Sequence, residues 1–429
     1  MQQVIGRLSN EATGSMDGAS QRDNPLEADR AMTPKRRMLN AYRGVFSDRV
    51  AVAPEFWYYY PAKLLGVDMI EFARNVPFHL ALKTTFETFE SEGWGVVFAG
   101  PPNDQVTSTS EERWIDDNTL ETRCIHKTPY GELTSASRAQ RDEPAWSLER
   151  PVKDLNRDLL AWEAMAFGGS PEAIDVSPLL KAREEVGESY LLEVWLGVPF
   201  FDFFANAREG GFETGIYDFL NPDFEPTLER LQSTYIERLV RLVNVLCEKT
   251  PFESFCIGCA WSCNSLLGPK LWRRWDKPVI RGVADEAHRH GRLLHVHFHG
   301  ACMDTVADFT EIGIDCVCPF ERPPGGDVKG LDDLRLVERR LRGCTTMNGN
   351  VHTVKTLIRG TANDARQEVA EILEAFHDNP RVIVGTGDQV GRETPEENLH
   401  AMIKEAKRLG ELDHRQQQPG SGPLSSAMP

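Results

Sequence analysis

No stretch of this chain reaches the roughly 18 consecutive apolar residues of a membrane-spanning helix, so no membrane span is expected. Basic residues are in deficit: 48 Lys and Arg against 65 Asp and Glu give a formal net charge of −17. Nucleic acid needs a positively charged footprint, and none is present, so that class of partner is set aside. The residues up to 32 are polar and lack the apolar centre of a secretory signal. The nine cysteines are odd in number, and Cys256, Cys316, Cys318 and Cys344 fall inside apolar runs. That pattern argues against a disulfide framework and for reduced thiols in a cytoplasmic protein. Cys256, Cys259 and Cys263 are closely spaced, but no second Cys-x-x-Cys pair is there to complete a zinc cluster.

What is present is core-forming sequence. Over 429 residues, 41% are hydrophobic and 26% charged, ordinary values for a globular enzyme. Residues 1–32 read as a disordered leader and 414–429 as a flexible tail, leaving 33–413 as a single domain. Within it, short β-rich runs alternate with longer helical ones. Strands are predicted at Val50–Glu55, Gly95–Ala99, Tyr190–Trp195, Ser254–Cys259, Leu293–Phe298, Ile314–Val317, Thr345–Met347 and Val382–Val384. Helices are predicted at Pro226–Glu248, Leu271–His290, Leu331–Leu341 and Asp364–Phe376. Strand–helix alternation implies a parallel sheet covered by helices, and about eight strands is the count of a (β/α)8 TIM barrel. A doubly wound open sheet is the competing α/β architecture. One stretch breaks the alternation: Thr128-Pro129-Tyr130-Gly131 sits between two β-rich runs and predicts a β-hairpin inserted over about 119–138.

The densest chemical signal is Leu293-Leu294-His295-Val296-His297-Phe298-His299-Gly300. In a strand, alternate side chains share a face, so the three imidazoles point one way, with His297 and His299 near the strand end. A barrel places its chemistry at the carboxyl ends of its strands. Those positions collect Glu55, Glu193, Cys259, His297, His299, Glu321, Asn348, Asn350 and Asp388. Asp388 ends the turn Gly385-Thr386-Gly387-Asp388, and Thr394, Pro395 and Glu397 then read as a helix start with Thr394 as cap. Two imidazoles and a carboxylate from separate strands, His297, His299 and Asp388, make a three-ligand metal site with a position left open. Cys302, Cys316 and Cys318 lie nearby in sequence and could supply a thiolate, although a buried structural thiol is the commoner outcome for each.

These residues, in this order and spacing, resemble the uroporphyrinogen decarboxylase superfamily. The pieces that carry the likeness are His297-Phe298-His299-Gly300, Glu311-Ile312-Gly313-Ile314-Asp315 and Met347-Asn348-Gly349-Asn350-Val351. They are followed by Leu357-Ile358-Arg359-Gly360-Thr361, Gly385-Thr386-Gly387-Asp388 and Thr394-Pro395-Glu396-Glu397-Asn398. Arg37-Met38-Leu39-Asn40-Ala41 and Asp48-Arg49-Val50-Ala51-Val52 look like the usual start of the domain. The resemblance implies a (β/α)8 barrel and one of two chemistries. Decarboxylases of the family use an arginine-rich N-terminal loop and an aspartate after the second strand. Here the first strand runs into Pro54-Glu55-Phe56-Trp57-Tyr58-Tyr59-Tyr60, and Gly100 stands where that aspartate aligns. A macrocycle bearing many carboxylates would meet Glu55 and Glu193, so porphyrin decarboxylation is not expected.

The corrinoid-linked methyltransferases of the same family hold zinc through a His-x-Cys pair and a distant Cys. His297 and His299 match the pair and Asp388 the distant Cys, so the resemblance implies a metal site with both thiolates exchanged. A His/His/Asp set leaves Zn2+, or Fe2+, a stronger Lewis acid than a thiolate-rich set does. The expectation is a metal-dependent group-transfer enzyme of the methyltransferase or demethylase type. It would act on a small substrate, with a corrinoid on a partner protein as methyl carrier. Glu55 or Glu193 would serve as general acid or base, and Asn350 would orient the substrate. Phe56–Tyr60 with Trp195 and Trp261 would supply an apolar wall. Three other readings stay open: a metal-independent decarboxylase or lyase using His299 and Asp388, a metal-dependent hydrolase, and a non-catalytic corrinoid-protein-binding homologue. Homodimer formation also stays open.

Overall fold

The computed structural model describes residues 32–98 and 100–411. The expected tail, and the expected leader up to residue 31, lie outside them. Twelve strands are described: β1 (Ala51–Ala53), β2 (Trp94–Phe98), β3 (Thr107–Trp114), β4 (Thr119–Thr128), β5 (Gly131–Gln140), β6 (Trp146–Glu149), β7 (Leu191–Gly197), β8 (Ser254–Cys259), β9 (Leu293–Phe298), β10 (Cys316–Pro319), β11 (Thr346–Val351) and β12 (Val382–Thr386).

Eight of them form one curled sheet in the order β1-β12-β11-β10-β9-β8-β7-β2. Every pairing in it is parallel, and helices connect the strands on the outside. This is the (β/α)8 arrangement, with β1 joined to β12 and one seam, between β1 and β2, where no ladder forms among the described residues. A side chain bridges the seam instead. Glu92, just before β2, accepts the Val52 N–H at 2.9 Å and takes Arg49 at 2.6 and 2.9 Å and Arg37 at 2.9 Å. Its carboxylate is 1% exposed and fully partnered. Removing one side of a buried ion pair strands the other, so Glu92→Gln should cost about 3–5 kcal/mol. Chemical denaturation checks this, and a loss below about 0.5 kcal/mol, the range of an ordinary surface substitution, would contradict the bridging role.

The amino-terminal end of the barrel is closed by helix Pro34–Arg43, which Thr33 caps by accepting the Arg36 N–H. The Thr346 hydroxyl donates to the Ala41 carbonyl at 2.7 Å, and Arg381 donates to the Tyr42 carbonyl at 2.6 Å. Met38, Leu39 and Tyr42 thereby join an interior cluster with Trp94, Leu191, Cys256, Leu293, Cys316, Cys318 and Ile383. A separate, larger cluster packs the helices onto the outside of the sheet.

The region expected to fold as a hairpin contains the β4–β5 pair, joined antiparallel through Thr128 and Gly131. The outer strands β3 and β6 extend it to four strands, in the order β3-β4-β5-β6. Two other expectations shift. The helix predicted over Leu271–His290 is two helices, Pro269–Trp275 and Lys277–Arg289. Pro278 lacks an N–H and crowds the carbonyl one turn earlier, so the ladder breaks at Asp276. The Asp276 carboxylate turns inward and accepts the Phe201 N–H at 2.8 Å. The last helix begins at Glu396 with Pro395 as its cap and no side-chain capping bond, while Thr394 donates its N–H to the Gly391 carbonyl in the preceding turn. The capping box falls elsewhere, on Thr361 and Asp364. No helix among the described residues is long and apolar enough to cross a membrane.

Candidate metal centre

Strand β9 carries the site because its interior face is histidine at every second position. The ladder sets Cys256, His295 and Cys316 in one row and Gly258, His297 and Cys318 in the next. Gly258 leaves room for Trp195, whose ring a Cβ there would meet at 2.2 Å. His299 follows at the carboxyl end, beyond the last ladder pair. Exposure grades accordingly: the side chains of His295, His297 and His299 are 0%, 11% and 31% exposed. His299 is the one that meets solvent.

The two upper imidazoles face each other, Nε2 to Nε2, at 2.6 Å, with ring planes 85° apart. Each is held from behind at Nδ1. Glu321, in the loop after β10, lies 3.0 Å from His299 Nδ1 and also accepts the Gly300 N–H at 2.8 Å. The Cys318 thiol lies 2.9 Å from His297 Nδ1, with a Glu55 oxygen 3.8 Å from the same atom. Protein metal sites commonly show this pattern: the far ring nitrogen is fixed by an acceptor and the near one is left for the ion.

The electrostatics of the two rings diverge. Burial, then the neighbouring His299 and His295, pushes the His297 pKa well below its ordinary value, so its ring is neutral. That is the state that ligates a metal. Burial also works against a charged His299. The Glu321 hydrogen bond and the Asp388 and Glu55 carboxylates outweigh it and hold the pKa up to about 9. Glu55 is pushed well above the carboxylate range, first by burial and then by Asp388. Asp388 is raised by burial, although His299 and the Gln389 N–H act against it. It takes φ = 149°, a conformation usually left to glycine. Such strain costs on the order of 1–3 kcal/mol and concentrates at working positions.

Of the residues expected at the site, the structure sets His297 and His299 in contact, with a Glu55 oxygen 3.8 Å from His297 and Asp388 within electrostatic reach of His299 and Glu55. It does not bring Glu193 there. Glu193 stands mid-strand in β7, 0% exposed, with one oxygen 2.6 Å from the Ser254 hydroxyl and the other 2.8 Å from His295 Nδ1. The alternation that turns it inward was legible, but its depth in the barrel was not. Asn350 is fully buried; its Nδ2 donates to the Phe320 carbonyl at 3.1 Å and its Oδ1 has no partner among the described residues. Phe56 and Tyr60, expected in an apolar wall, pack into the core with Phe89 instead.

Cys318, which the sequence left between a thiolate role and plain packing, contacts the site. Its sulfur also lies 3.1 Å from His295 Nε2, so one thiol touches both rows of histidine. Glu55, His297 and Cys318 each bring a ligand atom to within 4.8 Å of the others. The signal was present in Cys316-Val317-Cys318, which alternates on its strand as the histidines do on theirs.

Two imidazoles and a carboxylate, with one ring neutral and buried, are a donor set that fits a borderline divalent metal such as zinc or iron. The comparisons with known proteins bear on the scaffold. Residues 227–409 match the uroporphyrinogen decarboxylase (URO-D) family model. A solved structure described as a methyltransferase from Methanosarcina mazei superposes with a TM-score of 0.59 at 16% identity, covering 88% of this chain and 99% of that one. A D-psicose 3-epimerase from Clostridium cellulolyticum H10, solved with D-tagatose, covers 54% of this chain and 80% of its own at 11% identity, with a TM-score of 0.30, too low to inform the fold. No curated protein matches the sequence. The stretch that matches the family model contains the histidine strand β9 and the strands β8 to β12 of the barrel.

Proposed function

We propose that the protein is a metal-dependent group-transfer enzyme of the methyltransferase-like branch, with His297, His299 and Asp388 holding Zn2+ or Fe2+ at the barrel mouth. The observation that carries this reading is the opposed pair of Nε2 atoms, each ring fixed at Nδ1 by a partner of its own. The bound ion would supply Lewis acidity toward a donor or acceptor atom of the substrate.

The protein's own residues supply the rest. Glu321 and Cys318 set the ring orientations. Glu55, whose pKa burial and then Asp388 push well above the carboxylate range, would serve as general acid. Trp195, lying over Gly258, offers an apolar surface next to the His297 row. A small methyl donor, such as a methoxylated aromatic or a methyl group on a corrinoid-carrying partner, fits these features. The M. mazei methyltransferase of similar fold supports group transfer as the reaction class.

A second reading rests on His299. An imidazole held protonated to about pH 9 beside Asp388 is equipped for acid catalysis without metal, as a decarboxylase or lyase would need. Chelation separates the two. Methyl transfer from methoxylated aromatics or methylcobalamin to a thiol should stop after treatment with 1,10-phenanthroline and return on adding Zn2+ or Fe2+. Turnover that survives complete metal removal would favour the acid–base reading.

A further inference from the structure

We propose that the barrel axis holds a second metal site, one layer below the first, in which Glu193, Cys256 and His295 bind a thiophilic divalent cation of the zinc class. The three come from neighbouring strands β7, β8 and β9, and each brings a ligand atom to within 4.8 Å of the others. They are the carboxylate, thiol and imidazole donor types that bind zinc in proteins. The site stands on residues the upper site does not use.

Burial gives the arrangement its meaning. All three residues are 0% exposed. The Glu193 carboxylate bonds the Ser254 hydroxyl and His295 Nδ1, a neutral donor and an imidazole. Among the described residues no arginine or lysine bonds this carboxylate; its pairing is with His295 alone. The thiols of Cys316 and Cys318 line the same layer, the latter 3.1 Å from His295 Nε2.

A second observation points into the same space. Tyr42, on the helix that closes the barrel, is 0% exposed, and its hydroxyl is turned to the Cys316 thiol of the same layer. Its ring meets His295 edge-on at 5.7 Å, and it stands within electrostatic reach of Cys316, Glu193 and Cys318. With no route for solvent, the site is closed and structural. It pins three strands together directly beneath the opposed histidines, and the ion would enter as the barrel folds.

The test uses full-length protein loaded with Zn2+. In the His297→Ala/His299→Ala variant, which removes the upper donors, elemental analysis should still find about one zinc per chain. X-ray absorption at the zinc edge should show a sulfur neighbour at about 2.3 Å. Adding Cys256→Ala should cut zinc retention at least about tenfold. Should that triple variant fail to fold, the sulfur neighbour in the folded double variant decides the matter. A folded double variant without zinc, or with zinc bound by nitrogen and oxygen alone, overturns the lower site. The difference between parent and double variant reads the upper site separately, so either site fails on its own evidence.

Discussion

Replacing His297 and His299 together with alanine should lower group transfer by about 10²–10⁴-fold while leaving a folded barrel. Both rings lie at the carboxyl end of β9, past most of its ladder, and His299 is already part-exposed. The structural penalty is confined to Cys318 and Glu321, which lose a partner each, at about 1–3 kcal/mol per buried group. Because the rings act as one unit, each single variant should lose nearly as much activity as the pair. A pH dependence follows with a definite sign. Glu321, Asp388 and Glu55 keep a proton on His299 up to about pH 9, and a metal at Nε2 must displace it. Metal affinity should therefore weaken by roughly tenfold for each pH unit below about 9. Affinity that is flat between pH 7 and pH 9 would count against His299 as a ligand.

The second large effect concerns Cys318. Its thiol touches both His295, at 3.1 Å from Nε2, and His297, at 2.9 Å from Nδ1. Cys318→Ala would leave two buried imidazole nitrogens facing a small void, and should cost about 2–5 kcal/mol. Cys318→Ser keeps a donor and acceptor of nearly the same size, and should recover most of that loss. Alanine and serine variants of equal stability, both within about 0.5 kcal/mol of the parent, would show that the thiol is a passenger in the core. Denaturant titration of the three proteins, matched for metal content, makes the comparison.

Much of this architecture could be read from the residues. The interior strands are short β-branched and apolar runs between amphipathic helices, and the period-two histidines on β9 identified both the face and the end where chemistry sits. Helix Leu331–Leu341 appears with the bounds its apolar stripe predicted. The misses have physical causes. Strand β3 reads Thr-Ser-Thr-Ser-Glu-Glu-Arg-Trp and is exposed at every position, so no alternation of apolar and polar residues marks it. It is a strand because β4 pairs with it. Glu193 looked like a strand-end residue because strand boundaries are soft in sequence; the ladder with β2 places it three residues into β7. The thiolate role of Cys318 ranked below packing because a cysteine in an apolar run is more often packing than chemistry. Only the register of β10 against β9 puts its sulfur between two imidazoles. Glu92 is harder still, since nothing local reveals that a glutamate will stand in for a missing ladder at the barrel seam.

The most direct test of the account is the metal content of the full-length parent beside the His297→Ala/His299→Ala variant, both purified without an affinity tag that binds metal. The variant, still folded by near-ultraviolet circular dichroism, should hold about one equivalent of zinc or iron fewer than the parent. Equal metal content in the two proteins, or a parent that binds none when Zn2+ and Fe2+ are supplied, would contradict a metal at the opposed histidines and leave the acid–base reading of His299 and Asp388 in its place.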